Sequence, residues 1–176
     1  MSDIFLRELE RGDLARLNNW RADRELVRLL GGSFRYVGAE VDDRWFDAYL
    51  ASRTHNIRLA VCLSDNCTMV GVVYLLQIDW INRSAEFSIQ IGEASARGCG
   101  VGEAATRLAL QHAFDDLNLR RICLTAIATN ERAVALYRKV GFKPEGCFRE
   151  AVLKEGRYVD VIPMAILNQE RSNNND

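Results

Sequence analysis

Proline is scarce in this chain, at positions 144 and 163 alone among 176 residues. With so few ring-locked positions, most of the chain is free to run through regular structure. Lysine is scarce too, at Lys139, Lys143 and Lys154, so the 23 positive side chains are almost all arginine. Arginine forks suit phosphate and carboxylate, although genome composition produces the same bias. Neither sign of charge is in excess: 23 Lys+Arg against 24 Asp+Glu leave a formal net charge of -1. That excludes a general nucleic-acid binder, which needs a basic surplus to release counterions. No uninterrupted apolar stretch approaches the ~20 residues that span a bilayer. Met1-Ser2-Asp3-Ile4-Phe5 is not a basic segment leading into an apolar run, so no signal peptide is visible. The expectation is a cytoplasmic protein with no membrane partner. The five cysteines (Cys62, Cys67, Cys99, Cys123, Cys147) are scattered, and neither His55 nor His112 extends the close pair Cys62 and Cys67 into a ligand set. A zinc site is not expected, and the thiols read as buried or incidental.

What is present is apolar pattern: at 48% hydrophobic composition the chain can bury one sizeable core. Residues 1–170 read as a single domain, and 171–176 as a polar, disordered tail. Ile4 to Leu9 opens as a short strand, and Asp13 is placed to cap a helix whose face carries Leu14, Leu17 and Trp20. Leu29 to Phe34 reads as a loop, and a second helix follows Val41 with Trp45, Phe46, Tyr49 and Leu50 at helical spacing. Ile57–Leu63 and Met69–Ile78, around the turn Ser64-Asp65-Asn66, predict a β-hairpin. Ala85 to Ile91 alternates Glu86, Ser88 and Gln90 against Phe87, Ile89 and Ile91, the pattern of another strand. Gly102 to Leu117 predicts a long amphipathic helix, Arg121 to Ala126 a buried strand, and Glu131 to Val140 a short helix ended by Gly141. Glu145–Leu153 and Tyr158–Leu167 close the chain as a hairpin. Hairpins together with crossovers predict an α/β (α+β) fold, a mixed and mostly antiparallel central sheet with helices on both faces.

The most informative stretch is Arg97-Gly98-Cys99-Gly100-Val101-Gly102-Glu103, between a strand and the long helix. Three glycines let the backbone approach a ligand closely. The helix that begins there adds free amides and the positive end of its dipole. Such a turn cradles a pyrophosphate. It is not a P-loop, because Gly-Glu stands where Gly-Lys-Ser/Thr is required. It is not a dinucleotide fingerprint either, because a hairpin rather than the first strand of a βαβ unit precedes it.

The spacing Arg-x-x-Gly-x-Gly resembles the acetyl-CoA pyrophosphate loop of the GNAT acetyltransferase superfamily. A second block, Asn130-Glu131-Arg132-Ala133-Val134-Ala135-Leu136-Tyr137-Arg138-Lys139-Val140-Gly141-Phe142, resembles the family segment Asn-x-x-Ala-x-x-x-Tyr-x-Lys-x-Gly-Phe. Glu145-Gly146 through Arg149-Glu150, then Gly156-Arg157-Tyr158-Val159-Asp160, is similar to the subset holding ribosomal-protein alanine and spermidine N-acetyltransferases. The likeness is good from Arg58 to Leu167 and loose in the first third.

The resemblance implies an acyltransferase with acetyl-CoA as cosubstrate, a small-molecule amine as acceptor, and room for a homodimer. It assigns the cofactor to Arg97, Gly98, Cys99, Gly100, Val101, Gly102 and Glu103, to main-chain groups of Ile89, Gln90 and Ile91, and to Asn130, Ala133 and Tyr137. Tyr137 becomes the candidate acid for the leaving thiolate, against simple core packing. Glu86 becomes the candidate base or water anchor, against an exposed carboxylate paired with Arg83. Asn130 can cap its helix, touch the cofactor, or both. Cys99 is not expected to be a nucleophile, since an amine attacks directly, and His112 reads as packed or surface. The acceptor stays open between an amino sugar and a polyamine, with a ribosomal-protein N terminus or a non-catalytic acyl-CoA sensor as alternatives. Leu30-Gly31-Gly32-Ser33-Phe34 lacks the acidic cluster of spermidine acetyltransferases and is flanked by Arg21, Arg24, Arg28 and Arg35. Glu40, Asp42 or Asp43 could stand in for that cluster.

Overall fold

The computed structural model describes residues 3–171; of the expected tail, residues 172–176 lie outside them. The strands are β1 (Ile4–Glu8), β2 (Ile57–Leu63), β3 (Met69–Asp79), β4 (Ser84–Ile91), β5 (Arg121–Ile127), β6 (Lys143–Pro144), β7 (Phe148–Lys154) and β8 (Arg157–Leu167), all but the two-residue β6 expected from apolar alternation. The helices are α1 (Leu14–Ala22), α2 (Arg24–Arg28), α3 (Ala39–Ala51), α4 (Val101–Gln111), α5 (Glu131–Lys139) and α6 (Asn168–Arg171), of which periodicity predicts all but the short α2 and α6. The strands form one sheet in the order β1-β2-β3-β4-β5-β8-β6, with β7 also paired to β8.

Side-chain alternation divides this sheet into two cores. Val73 and Leu75 of β3, Phe87 of β4 and Ile122 of β5 pack with Ala105 of α4 and Val134 of α5. On the other face Ala60 and Cys62 of β2 and Val72 of β3 meet Leu17 and Trp20 of α1 and Phe46 and Tyr49 of α3. Each large apolar side chain so buried contributes roughly 1.5–3 kcal/mol. Helices on both faces of a mostly antiparallel sheet are what the pattern predicted.

Three local readings change, and a short helix is added after α1. Asp13 does not cap α1: its carboxylate accepts from the Glu10 N–H at 2.8 Å and from the guanidinium of Arg7 in the preceding turn. The second long helix begins at Ala39, two residues before Val41, with Gly38 as its N-cap. Arg24–Arg28 forms a short helix of its own, capped by Asp23, whose Oδ1 accepts from the Leu26 N–H at 3.1 Å. The long helix expected to Leu117 gives way after Gln111 to a π-helical turn, His112–Asp116, in which His112 and Asp116 pair at 2.7 Å.

The feature that positions the site is the parallel pair β4–β5, joined by the crossover helix α4. Its register runs only through Ser84↔Arg121, Ala85↔Ile122 and Glu86↔Cys123. Beyond it β4 stays paired to β3 as far as Ile91, and β5 to β8 as far as Ile127. The sheet therefore opens between β4 and β5 just past Glu86.

Candidate active site

The glycine-rich loop stands at the head of this opening. Gly98 and Gly100 hold φ of 83° and 84°, left-handed values that L side chains rarely adopt. Gly100 is the N-cap of α4. The first three N–H groups of the helix, at Val101, Gly102 and Glu103, have no backbone acceptor among the described residues, whereas Ala104 N–H already bonds Gly100 O. Orphan amides at a positive helix end fit an anion, so the residues present suit a diphosphate. Gly102 also lets α4 approach α5, because a Cβ there would lie 3.3 Å from the Leu136 side chain.

The side chains of the loop do not all point where the motif implies. Arg97 turns back, donating to the carbonyls of Ile91 (2.9 Å) and Gly92 and lying 3.8 Å from Asp23. It clamps the end of β4 to the start of α2. The Cys99 thiol is exposed and donates weakly toward the Ser95 and Arg97 carbonyls. The Glu103 carboxylate pairs with Lys139 at 2.7 Å and Arg107 at 3.1 Å, and Lys139 foremost holds it below the usual carboxylate range. Glu103 can serve the loop through its N–H while its charge is neutralised by the two helices.

Strand alternation decides which backbone groups line the opening. Gly92 N–H bonds Val70 O on the β3 side. Counting back, Gln90 also turns its backbone groups to β3, while Ile89 and Ile91 present theirs to the open side. Of the three residues expected to bond an extended arm through the main chain, Gln90 is therefore engaged by its own sheet. The Ile91 carbonyl is already taken by Arg97.

Tyr137 and Glu86 lie on opposite faces of the sheet. Tyr137 is buried at 9% exposure, its ring edge-on to Phe87 (6.4 Å) and Phe142 (5.8 Å). Its hydroxyl has no hydrogen bond among the described residues, and burial pushes its pKa up to about 12. Glu86 is half-buried beside Cys123, whose thiol is raised by burial first and by the Glu86 charge as well. The expected partner Arg83 donates to Asn118 instead, at 2.7 and 2.6 Å. Glu86 is thus left at the last rung of the β4–β5 ladder, where the sheet opens and the two faces communicate.

Asn130 caps α5, its Oδ1 accepting from Ala133 N–H at 3.2 Å, and its Nδ2 donates to Leu29 O at 3.0 Å. It thereby joins the helix that carries Tyr137 to the end of α2. On the Glu86 face a cavity of about 430 Å³ opens beside it, lined by Arg28, Leu29, Ile127, Asn130, Lys154 and Arg157 among others. Lys154 reaches from β7 to the carbonyls of Val27 (3.2 Å) and Gly32, closing one wall. On the same sheet face Arg58, Tyr74 and Ser88 stand in register, with the Arg58 guanidinium 4.5 Å from the Trp45 ring and 4.6 Å from that of Tyr74.

The carboxylates proposed to replace an acidic cluster are mostly engaged. Asp42 is buried against Arg21 and Asn18, and Asp43 pairs with Arg11. Three of the flanking arginines are engaged as well: Arg21 holds Asp42, Arg24 lies over Phe34 and Tyr36, and Arg28 pairs with Glu25. Two residues that matter here were not singled out from sequence. Gly92 admits the Trp20 ring, which a Cβ would strike at 2.0 Å. The Arg132 guanidinium lies over Gly98, 2.8 Å from where a Cβ would stand. No local pattern marks either contact, because each joins separate elements.

Comparison with known proteins agrees with this geometry. A family model described as an acetyltransferase (GNAT) domain matches residues 3–143, so the likeness takes in the first third of the chain that the motifs matched only loosely. The spermidine N(1)-acetyltransferase of Vibrio cholerae is 33% identical over 99% of this chain and 99% of its own. That of Escherichia coli K12 is 28% identical over 95% of this chain and 87% of its own. The crystal structure of the Vibrio cholerae spermidine N-acetyltransferase in complex with CoA and spermine superimposes with a TM-score of 0.90, at 31% identity, over 96% of this chain and 98% of that one. Sequence blocks, open sheet, glycine loop and family match converge, and the chain belongs to the GNAT acetyltransferase family.

Proposed function

We propose that the chain acetylates the primary amine of a small molecule, by direct attack in a ternary complex formed across the β4–β5 opening. The observation that supports this most is the placement of the glycine loop and Tyr137 on one face and Glu86 and the cavity on the other, with the opening between them. Bound at the loop, acetyl-CoA supplies an activated acetyl thioester. The free amides of α4 hold its diphosphate, and the open edge of β4 at Ile89 gives its arm a strand to follow. Glu86, directly or through a water, takes the proton an alkylammonium must lose, since such amines stay protonated near neutrality. Tyr137 keeps its proton at every physiological pH. A phenol near 12 cannot fully protonate a thiolate, whose acid is near 8.5, so its hydroxyl stabilises the departing sulfur by a shared hydrogen bond. A mere acyl-CoA sensor would need neither group.

The spermidine acetyltransferases similar to this chain support a polyamine as acceptor. The cations along the cavity, Arg28, Lys154 and Arg157 against Glu155, support a second reading, an amine that also carries an anionic group, such as a nucleotide-linked amino sugar. A thiol-release assay run side by side on spermidine, a nucleotide-linked amino sugar and an alanine-initiated peptide tests both. Turnover of spermidine alone is the expected outcome of the first reading. Turnover of the sugar alone replaces it by the second, and turnover of the peptide alone removes both. No helix among the described residues is long and apolar enough to cross a membrane, which supports a cytoplasmic placement. The dodecameric form of the Vibrio cholerae enzyme, with a TM-score of 0.82, supports assembly into an oligomer.

A further inference from the structure

The glycine loop carries its own arginine, yet Arg97 faces away from the ligand side, held by Ile91 O and Gly92 O and close to Asp23. The acidic side chain at the mouth, Glu103, is neutralised by Lys139 and Arg107. The cation that meets the loop comes from elsewhere. Arg132, the second residue of α5, places Nη2 2.8 Å from the position a Cβ would take on Gly98. Gly98 thus does two things: it adopts φ 83°, and it leaves the space that the guanidinium fills.

Two further observations point to a ligand. Arg132 is exposed and has no hydrogen bond, ion pair or ring contact among the described residues, although acidic residues are as frequent as basic ones in the chain. It also stands in the first turn of α5, the end of a helix at which a cation is disfavoured by the dipole. An unpaired arginine at the wrong end of a helix, directed at a loop of free amides, is explained by an anion held between the starts of α4 and α5.

We propose that Arg132 is the side-chain ligand of the donor diphosphate, completing from α5 the cradle that the Val101, Gly102 and Glu103 amides form on α4, while Arg97 is a structural clamp. This rests on acetyl-CoA being the donor. The test is calorimetric binding of CoA, 3′-dephospho-CoA and pantetheine to the wild-type chain and to Arg132→Gln, Arg132→Lys and Arg97→Gln. Arg132→Gln is expected to weaken CoA and dephospho-CoA alike by about tenfold, the size of one charged hydrogen bond, and to leave pantetheine unchanged. Arg132→Lys should recover part of the loss, and the salt dependence of CoA binding should become shallower in Arg132→Gln. Arg97→Gln should lower the melting temperature and weaken all three ligands without discriminating among them. Unchanged CoA affinity in Arg132→Gln overturns the proposal. So does a loss confined to CoA, which would move Arg132 to the 3′-phosphate. A wild-type chain that binds no CoA overturns the donor reading itself, and is thereby distinct from a failure of Arg132 alone.

Discussion

At the scale of single residues the site depends on where a few side chains end. Tyr137 sits among Phe87 and Phe142 with a hydroxyl unpaired among the described residues, and burial raises its pKa to about 12. Tyr137→Phe removes one oxygen and keeps the packing, so the fold should survive. Turnover should fall by roughly 10²–10⁴ if the hydroxyl assists the departing sulfur, with KM for acetyl-CoA within a few-fold. Wild-type turnover in the variant would reduce Tyr137 to a packing residue. Because the neutral form persists to about pH 12, the rate should show no alkaline loss attributable to this group below pH 10. The sequence showed the type and spacing of Tyr137, Asn130 and the glycines, because local motifs carry them. It did not show that Arg97 turns inward or that Arg132 turns toward the loop, because both depend on how α5 and α2 pack on β4.

At the scale of elements, periodicity located almost every strand and helix. The exceptions have local causes: α2, β6 and α6 are too short for a periodicity to show, and the π-helical turn after Gln111 follows a continuous apolar pattern that reads as helix throughout. Asp13 had the right residue type for a cap, but the guanidinium of Arg7 and the Glu10 amide hold its carboxylate in the preceding turn. Asn130, by contrast, is both cap and bridge. Asn130→Ala should cost about 1 kcal/mol through the lost cap, read as a lower midpoint in urea. It should also raise KM for the acceptor more than for the donor, because Leu29 beside the cavity loses its tether. Equal changes in both KM values would show that the bridge does not shape the acceptor side.

At the scale of the whole molecule, carboxylates paired with arginine or lysine set the acid limit of stability. Burial is the largest single influence on Asp13 and would raise it, but the hydrogen bonds from Arg7 and the Glu10 amide, with the charge of Arg7, together outweigh it and hold it below the usual range. Arg121 foremost lowers Glu145, and Lys139 foremost lowers Glu103. A depressed folded pKa contributes stability that is present above the unfolded value near 4 and lost as pH falls through the folded one. The melting temperature should therefore be flat from pH 7 to about 5 and drop below about 4. Asp13→Asn should melt lower at pH 7 and lose less on acidification; parallel pH curves would detach Asp13 from the effect. One feature of the sheet also orders events in time. β5 shares three rungs with β4 but seven with β8, the last strand among the described residues, and Lys154 ties the same hairpin to Val27 and Gly32. During synthesis β1–β4 and the core that β2 and β3 share with α1 and α3 can assemble early, while β5 waits for a partner more than thirty positions downstream. A nascent chain halted before Arg157 would hold an intact glycine loop beside an unfinished sheet edge, the type of exposed strand that invites aggregation or chaperone capture.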